Sequence, residues 1–135
     1  MTAPSIKQIG TYTAGASLSV TVPWPTHAVG DLGILIVSGA RSSGSTTIAG
    51  WTAISSRAFT GVSSVDNGIT CFYRIATSSS ESSPTFTHST GTPGGRIITF
   101  KDFDSSTPIE AAAKVDGSST TSAQSISGIT TTIDD

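Results

Sequence analysis

Short apolar stretches recur every 10–18 residues along this chain, and turn residues such as glycine, proline, serine and asparagine separate them. The clearest stretch, residues 16–22, alternates apolar side chains with serine and threonine. A period of two residues is that of a strand with one buried and one solvated face. Residues 32–37 are instead apolar in both phases, which predicts a central strand covered on both sides.

The same pattern predicts further strands along the rest of the chain. They fall at residues 6–13 with a break at Gly10, 51–60, 69–77, 84–89 and 95–103, with weak alternation through Ile126, Ile129 and Ile133. Strands of this length and spacing predict an all-β fold. We expect an antiparallel, jelly-roll-like β-sandwich of about eight strands, in a single domain that spans residues 1–135.

The pattern leaves room for at most one short helix. Thr107, Pro108 and Glu110 form a helix-capping sequence ahead of residues 111–114, and Gly117 is placed to end such a helix. Because two helical turns are marginal on their own, a single turn or an extended edge remains an alternative for this segment.

The composition excludes several classes of protein. Serine and threonine make up 46 of the 135 residues and charged residues only 12%, so hydroxyls rather than charges dominate the surface. The net charge of −2 provides no positive field for nucleic acid. No apolar run approaches the roughly 18 residues that a membrane-spanning helix needs. The first residues lack the charged and apolar segments of a secretory signal peptide, so we expect synthesis in a cytosol without the usual export.

Catalytic and metal-binding arrangements are sparse in the sequence. His27 and His88 have no ligand-spaced partner, Cys71 is the single cysteine, and neither a nucleophile elbow nor a phosphate-binding loop is present. We therefore expect no enzyme activity, no cofactor and no metal, and a buried, inert Cys71. Two alternatives stay open: a zinc site that uses both histidines with distant carboxylates, and a hydrolase whose serine and histidine meet only in the fold.

The densest acidic group follows the last strong strand and contains Asp102, Asp104, Glu110 and Asp116. Its spacing lacks the glycine and the final acid of a calcium-binding loop. A solvated loop is therefore favoured over a calcium site.

Three aromatic side chains are candidate contacts for a ligand or partner: Trp24, Trp51 and Tyr73. Trp24 stands between two prolines at the end of a strand, where a ring either stacks on a sugar or covers the open end of the core. Trp51 follows a glycine and begins a strand, which favours a place in the core.

Several short motifs occur in a characteristic order. They are Ile-Gly-Thr at 9–11, Val-Gly-Asp-Leu and an apolar run at 29–37, Ala-Gly-Trp-Thr at 49–52, Phe-Tyr-Arg-Ile-Ala at 72–76, and Ile-Thr-Phe-Lys-Asp-Phe-Asp at 98–104 with Pro-Ile at 108–109. In this order they resemble a β-sandwich module of bacteriophage virion proteins, tail-associated ones especially, and of some bacterial surface proteins. The resemblance covers nearly the whole chain, and it departs from the family at Phe103, where members usually have glycine.

The resemblance implies a non-enzymatic structural component of a phage virion: a capsid decoration, tail or fibre protein. Such a protein is made in the host cytoplasm and exposed on the particle, and its partners are other virion proteins and further copies of itself. The alternative is a carbohydrate- or receptor-binding module that takes a cell-surface glycan. The family carries no catalytic motif to transfer. Residues 130–135 resemble the approach to one more apolar strand, so we expect the domain to lack that strand or to receive it from a neighbour.

Overall fold

A computed structural model describes residues 3–40, 47–55, 67–88 and 91–110 of the chain. The described strands are β1 Ser5–Ile9, β2 Thr13–Ala14, β3 Ser19–Thr21, β4 Leu32–Ala40, β5 Thr52–Ser55, β6 Asn67–Ile75, β7 Thr85–Thr87 and β8 Gly94–Lys101. All of their pairings are antiparallel, and the described residues contain no helix. The predicted all-β class is confirmed.

The strands form one large and one small sheet. The six-stranded sheet has the order β1-β8-β4-β6-β5, with β2 also paired to β8, while β3 and β7 form a separate two-stranded sheet. β4 is the central strand, as predicted, because Leu32 pairs with Phe100 of β8 on one side and with Ile75 of β6 on the other. The prediction that both faces of β4 are covered stays a prediction: Leu35 is fully buried on the face toward the small sheet, and on the other face Leu32 is buried and Ile34 is half-buried.

The core lies between the two sheets. Its buried members come from both of them: Val20 of β3, Phe86 of β7, Leu35 and Val37 of β4, Phe72 of β6 and Ile97 of β8. Burying an apolar side chain of this size contributes roughly 1.5–3 kcal/mol, so the small sheet is held on one face of the large one mainly by these contacts. The jelly-roll order stays a prediction, because the smaller layer holds only two of the described strands.

The alternation at residues 16–22 produces a strand over only part of its length. Val20 is buried as predicted, but Leu18 is 48% exposed and the chain bends there. The bend follows from a close approach between Gly15 and the carbonyl of Ser19, where a β-carbon on the glycine would overlap the oxygen. The chain is turning from β2 into β3 at this point, so the buried phase begins only at the strand itself.

Gly10 interrupts the first strand, as predicted. β1 ends before it and β2 begins after it, and its N–H donates to the Ile97 carbonyl at 2.8 Å, a carbonyl that a β-carbon at this position would overlap. Residues 107–110, the described part of the segment for which a short helix, a single turn and an extended edge were alternatives, are not helical. Asp116 and the strand signals around residues 126–133 lie outside the described residues.

Candidate functional site

An aromatic cluster centred on Trp24 closes one end of the core. The indole lies over Gly33 of β4, where a β-carbon would overlap the ring. Its ring centroid is 5.1 Å from that of Trp51 and 4.7 Å from that of His27, with both pairs tilted. The indole Nε1 is buried and has no hydrogen-bond partner among the described residues. The ring thus serves as packing for the core, in a position that only glycine on β4 permits.

The structure brings together two of the three aromatic residues that the sequence singles out. Trp51 is 9% exposed and belongs to the core cluster, and the half-buried Trp24 packs against that cluster. Tyr73 lies apart from them, because it pairs with Ile34 on the face of the large sheet that points away from the core. These three rings therefore do not form one platform for a sugar.

The two histidines are separated along β4. His27 lies beside the indole that covers Gly33, whereas His88 packs over Gly39. Six residues of extended strand span about 20 Å, which is too far for the two imidazoles to bind one metal ion. Among the described residues, no group of three or more His, Cys, Asp or Glu side chains is arranged to hold a metal.

His27 links two connections of the chain through both of its ring nitrogens. Nδ1 lies 2.7 Å from the carbonyl of Pro25, which can only accept, so Nδ1 carries the proton. Nε2 is 3.3 Å from the backbone N–H of Glu81 and accepts from it. The imidazole therefore joins the segment after β3 to the connection between β6 and β7, which is a structural role.

Asp31 ties β1 to the turn before β4. Its carboxylate is largely buried, and Oδ2 accepts from Lys7 Nζ and from the Ala28 N–H, both at 2.6 Å. Burial raises the pKa of Asp31, but the hydrogen bonds from Lys7 and Ala28 and the charge of Lys7 outweigh it and leave the pKa below its ordinary value. Lys7 reaches this carboxylate from the bulge of β1 between Ile6 and Gln8.

Glu81 organises the connection after β6. Oε1 accepts the N–H groups of Thr77 and Ser78 at 2.5 and 3.1 Å, and Oε2 pairs with the guanidinium of Arg74 at 2.7 Å. Burial raises the pKa of Glu81, and these hydrogen bonds together with the charge of Arg74 outweigh it, so the pKa lies below its ordinary value. Arg74 also covers Gly50, whose φ of 76° and missing β-carbon make room for the guanidinium. Two of the sequence motifs therefore meet at this point.

The acidic segment after β8 uses its carboxylates locally. Asp102 accepts from the Ser5 hydroxyl at 3.2 Å and lies 3.7 Å from Lys101 Nζ. Asp104 accepts the N–H and the hydroxyl of Ser106 at 2.8 and 2.6 Å, and these hydrogen bonds hold the pKa of Asp104 below its ordinary value. This is the arrangement of a solvated turn, in which a side chain substitutes for backbone partners.

The face of the large sheet that points away from the core is apolar, and we call it the outer face. Cross-strand pairing puts Ile34 beside Tyr73 and Ile98, and Ile36 beside Cys71. All five side chains are half-buried. Cys71 has the phase that the sequence predicts, but it is half-buried rather than buried, and burial raises the pKa of its thiol.

The apolar character of the outer face continues to its edges. Ile6 and Ile9 of β1 are 57% and 53% exposed, and Ile69 of β6 is 62% exposed. At one end, the guanidinium of Arg96 lies 5.8 Å from the ring centroid of Tyr12. A large apolar surface thus spans the sheet from β1 to β6.

The outward side of the small sheet is polar. The small sheet pairs Thr21 with Thr85 and Ser19 with Thr87, and the exposed threonines lie on its solvent side. The hydroxyls of Thr21 and Thr85 are 2.8 Å apart and hydrogen-bonded. The outward faces of the two described sheets therefore differ in kind: hydroxyls on the small sheet and aliphatic and aromatic carbon on the large one.

The apolar outer face is the candidate functional site that the sequence argument missed. The signal is present in residues 32–37, whose two apolar phases indicate two apolar faces. A second apolar phase fits a strand with a covering layer on that face, and it equally fits an apolar surface that contacts a partner.

In comparisons with known protein families, curated proteins and solved structures, nothing matches the chain. The described residues include no helix of the length and hydropathy that crossing a membrane requires. The outer face and the clusters at Trp24, Asp31 and Glu81 are therefore interpreted from their own geometry.

Proposed function

We propose that this chain is a non-enzymatic structural component of a bacteriophage virion, of the decoration, tail or fibre kind. It acts by packing against other proteins. The observation that carries the packing role is the outer face, where Ile34, Ile36 and Tyr73 stand on a sheet surface that the small sheet does not cover. The assignment to a virion rests on the resemblance of the ordered sequence motifs to phage β-sandwich modules.

Apolar surface is the physical reason for the packing role. On soluble proteins, contiguous apolar patches of more than about a few hundred Å² mark contact sites for proteins or ligands. On the outer face, the edge residues Ile6 and Ile69 are more than half exposed. The hydroxyl-rich small sheet suits the solvent side of an assembled particle, because serine and threonine stay hydrated without charge.

The buried acidic clusters fit a structural role. Asp31 and Glu81 accept hydrogen bonds from backbone N–H groups and pair with Lys7 and Arg74. Their carboxylate oxygens accept hydrogen bonds from groups of the same chain, and these contacts hold turns in place. We therefore assign no step of catalysis to them.

A glycan-binding module is the alternative function. It gains little from the arrangement of the aromatic residues, because Trp51 belongs to the core and Tyr73 lies on the other side of the large sheet. A glycan array probed with the wild-type protein and with Trp24→Ala tests this alternative. Binding that is lost in the variant would favour it over packing.

Purified particles test the virion assignment directly. We expect mass spectrometry of gradient-purified virions from the phage that encodes this chain to give its peptides in fixed ratio to the major capsid protein. We also expect imaging to place matching density on the particle surface. Peptides that stay in the soluble lysate and leave the particle fraction would refute the assignment.

A further inference from the structure

The connection between β6 and β7, residues 76–84, lies against the segment that follows β3. Its two ends are held by backbone hydrogen bonds, one from the Ala76 N–H at 2.8 Å and one to the Pro84 carbonyl at 2.9 Å. Between these ends, the Glu81 N–H donates to Nε2 of His27 at 3.3 Å. This hydrogen bond therefore holds the middle of the connection to the segment after β3.

The two hydrogen bonds of His27 require a neutral imidazole. The Pro25 carbonyl only accepts and the Glu81 N–H only donates, so Nδ1 must carry a proton and Nε2 must not. An imidazolium has a proton on both nitrogens, and its Nε2–H would face the Glu81 N–H, donor against donor. The contact with Pro25 and the Trp24 ring, whose centroid lies 4.7 Å away, would still keep the imidazole in place.

The charged groups beside His27 belong to two ion pairs. Asp31, in the turn before β4, pairs with Lys7 of β1. Glu81 pairs with Arg74 of β6. A positive charge on His27 lowers the pKa of Asp31, so this carboxylate attracts an imidazolium. The surroundings therefore permit protonation of the ring, whereas the hydrogen bond to Nε2 does not survive it.

We propose that protonation of His27 is a pH-sensitive switch that releases the middle of the connection between β6 and β7. The neutral imidazole accepts from the Glu81 N–H, and the imidazolium cannot. Histidine changes its charge between about pH 5 and 8. Asp31 and Glu81 stay ionised in that range, because their pKa values lie below the ordinary ones. The opening is local, since the ends of the connection stay bonded. The switch goes beyond the packing role and does not depend on it.

NMR of the full chain tests the switch. Spectra that detect the imidazole nitrogens should show neutral His27 with its proton on Nδ1. The pH is then lowered until the same spectra show that His27 carries its second proton. We expect the protection factor of the Glu81 amide against hydrogen exchange to fall by about fivefold, the factor that one net hydrogen bond contributes. The protection factor of the Ala76 amide, at the fixed end of the connection, should stay within about twofold.

His27→Gln removes the titration. Glutamine is uncharged whatever the pH and offers both an acceptor and a donor, so the protection factor of the Glu81 amide should be the same at both pH values. His88→Gln is the matched control. It replaces the other histidine of the chain, which packs over Gly39, and it should keep the full response. Circular dichroism identifies which variants are folded, and the Ala76 amide of the wild type is the control if His88→Gln does not fold.

Three results would overturn the switch. The first is a neutral His27 with its proton on Nε2. The second is a Glu81 amide whose protection factor is unchanged once His27 carries its second proton. The third is a response of the same size in folded His27→Gln. The first two need only the wild-type protein. A chain that is absent from virions refutes the proposed function and leaves the switch intact, and an unchanged Glu81 amide refutes the switch alone.

Discussion

The indole of Trp24 occupies the space above Gly33 that a β-carbon would fill. Gly33 is in the central strand, where glycine by itself weakens a strand because it has no side chain to pack. The ring supplies that packing from another part of the chain. The strand and the ring therefore fit each other, and a substitution at either residue alters the packing of the other.

We predict that Gly33→Ala destabilises the protein by about 1–3 kcal/mol, the usual cost of overpacking a close contact. The added methyl group must displace the Trp24 ring, which packs against the buried Trp51. Denaturant unfolding followed by tryptophan fluorescence measures the change. In a Trp24→Leu background, Gly33→Ala should cost clearly less, and equal costs in both backgrounds would contradict the contact.

Asp31→Asn should destabilise the protein by about 1–3 kcal/mol at neutral pH, because Lys7 loses a partly buried ionic partner. The pKa of Asp31 in the folded state lies below its ordinary value. Its contribution is therefore fully present above the unfolded-state pKa of about 4 and is lost as the pH falls through the folded-state pKa. Unfolding free energies measured between neutral and acidic pH should fall less steeply for the variant than for the wild type.

Asp102→Asn is the control for that experiment. Asp102 and Lys101 form an exposed pair at 3.7 Å, and exposed pairs contribute about 0–1 kcal/mol. The wild-type pH profile should be almost unchanged in this variant. A loss as large as that of Asp31→Asn would show that general charge balance, rather than the buried contact, sets the acid stability.

Glu81→Gln should remove the ion pair with Arg74 and keep a side-chain oxygen near the N–H groups of Thr77 and Ser78. We expect a loss of about 1–3 kcal/mol at neutral pH, the range for a buried charged hydrogen bond. Because the folded-state pKa of Glu81 is lowered, the difference from the wild type should shrink as the pH falls through that pKa. A difference that is constant from neutral to acidic pH would contradict the role of the carboxylate charge.

Cys71 should react slowly with iodoacetamide in the folded protein. Burial raises the pKa of its thiol, so the reactive thiolate is scarce at neutral pH. We expect unfolding in guanidinium chloride to restore the rate of a free cysteine. If Cys71 is alkylated at the same rate in the folded and in the unfolded protein, the sheet does not shield the thiol.

Much of the architecture could be predicted because the hydrophobic period is a local signal. The central place of β4 follows from its apolar residues, and the break at Gly10 follows from a glycine within an apolar run. The failures occur where backbone contacts, and not the hydrophobic period, set the conformation. Leu18 continues the alternation of Val20 but lies in a bend that a contact between Gly15 and Ser19 sets. No pattern within the strand itself contains that information.

At the candidate site, too, the sequence predicts some features and only the structure shows the others. The sequence places Ile34 and Ile36 in one phase of a strand, but it does not say whether a second layer covers that phase. The structure places the small sheet on the other face and shows Ile34 and Ile36 as half-buried. In the same way, Tyr73 is separated from the two tryptophans by its register opposite Ile34, which the pairing of β4 with β6 decides.

The order of the large sheet also has a consequence for synthesis. β4 lies between β6 and β8, so its second edge is paired only when the chain has reached residue 101. Until then the nascent chain carries an unpaired, apolar strand edge, the kind of feature that makes incomplete β proteins prone to aggregate. Closing pairs of such high sequence separation is slow. Yield of this protein in a cell should therefore depend on temperature and translation rate as much as on the stability of the finished fold.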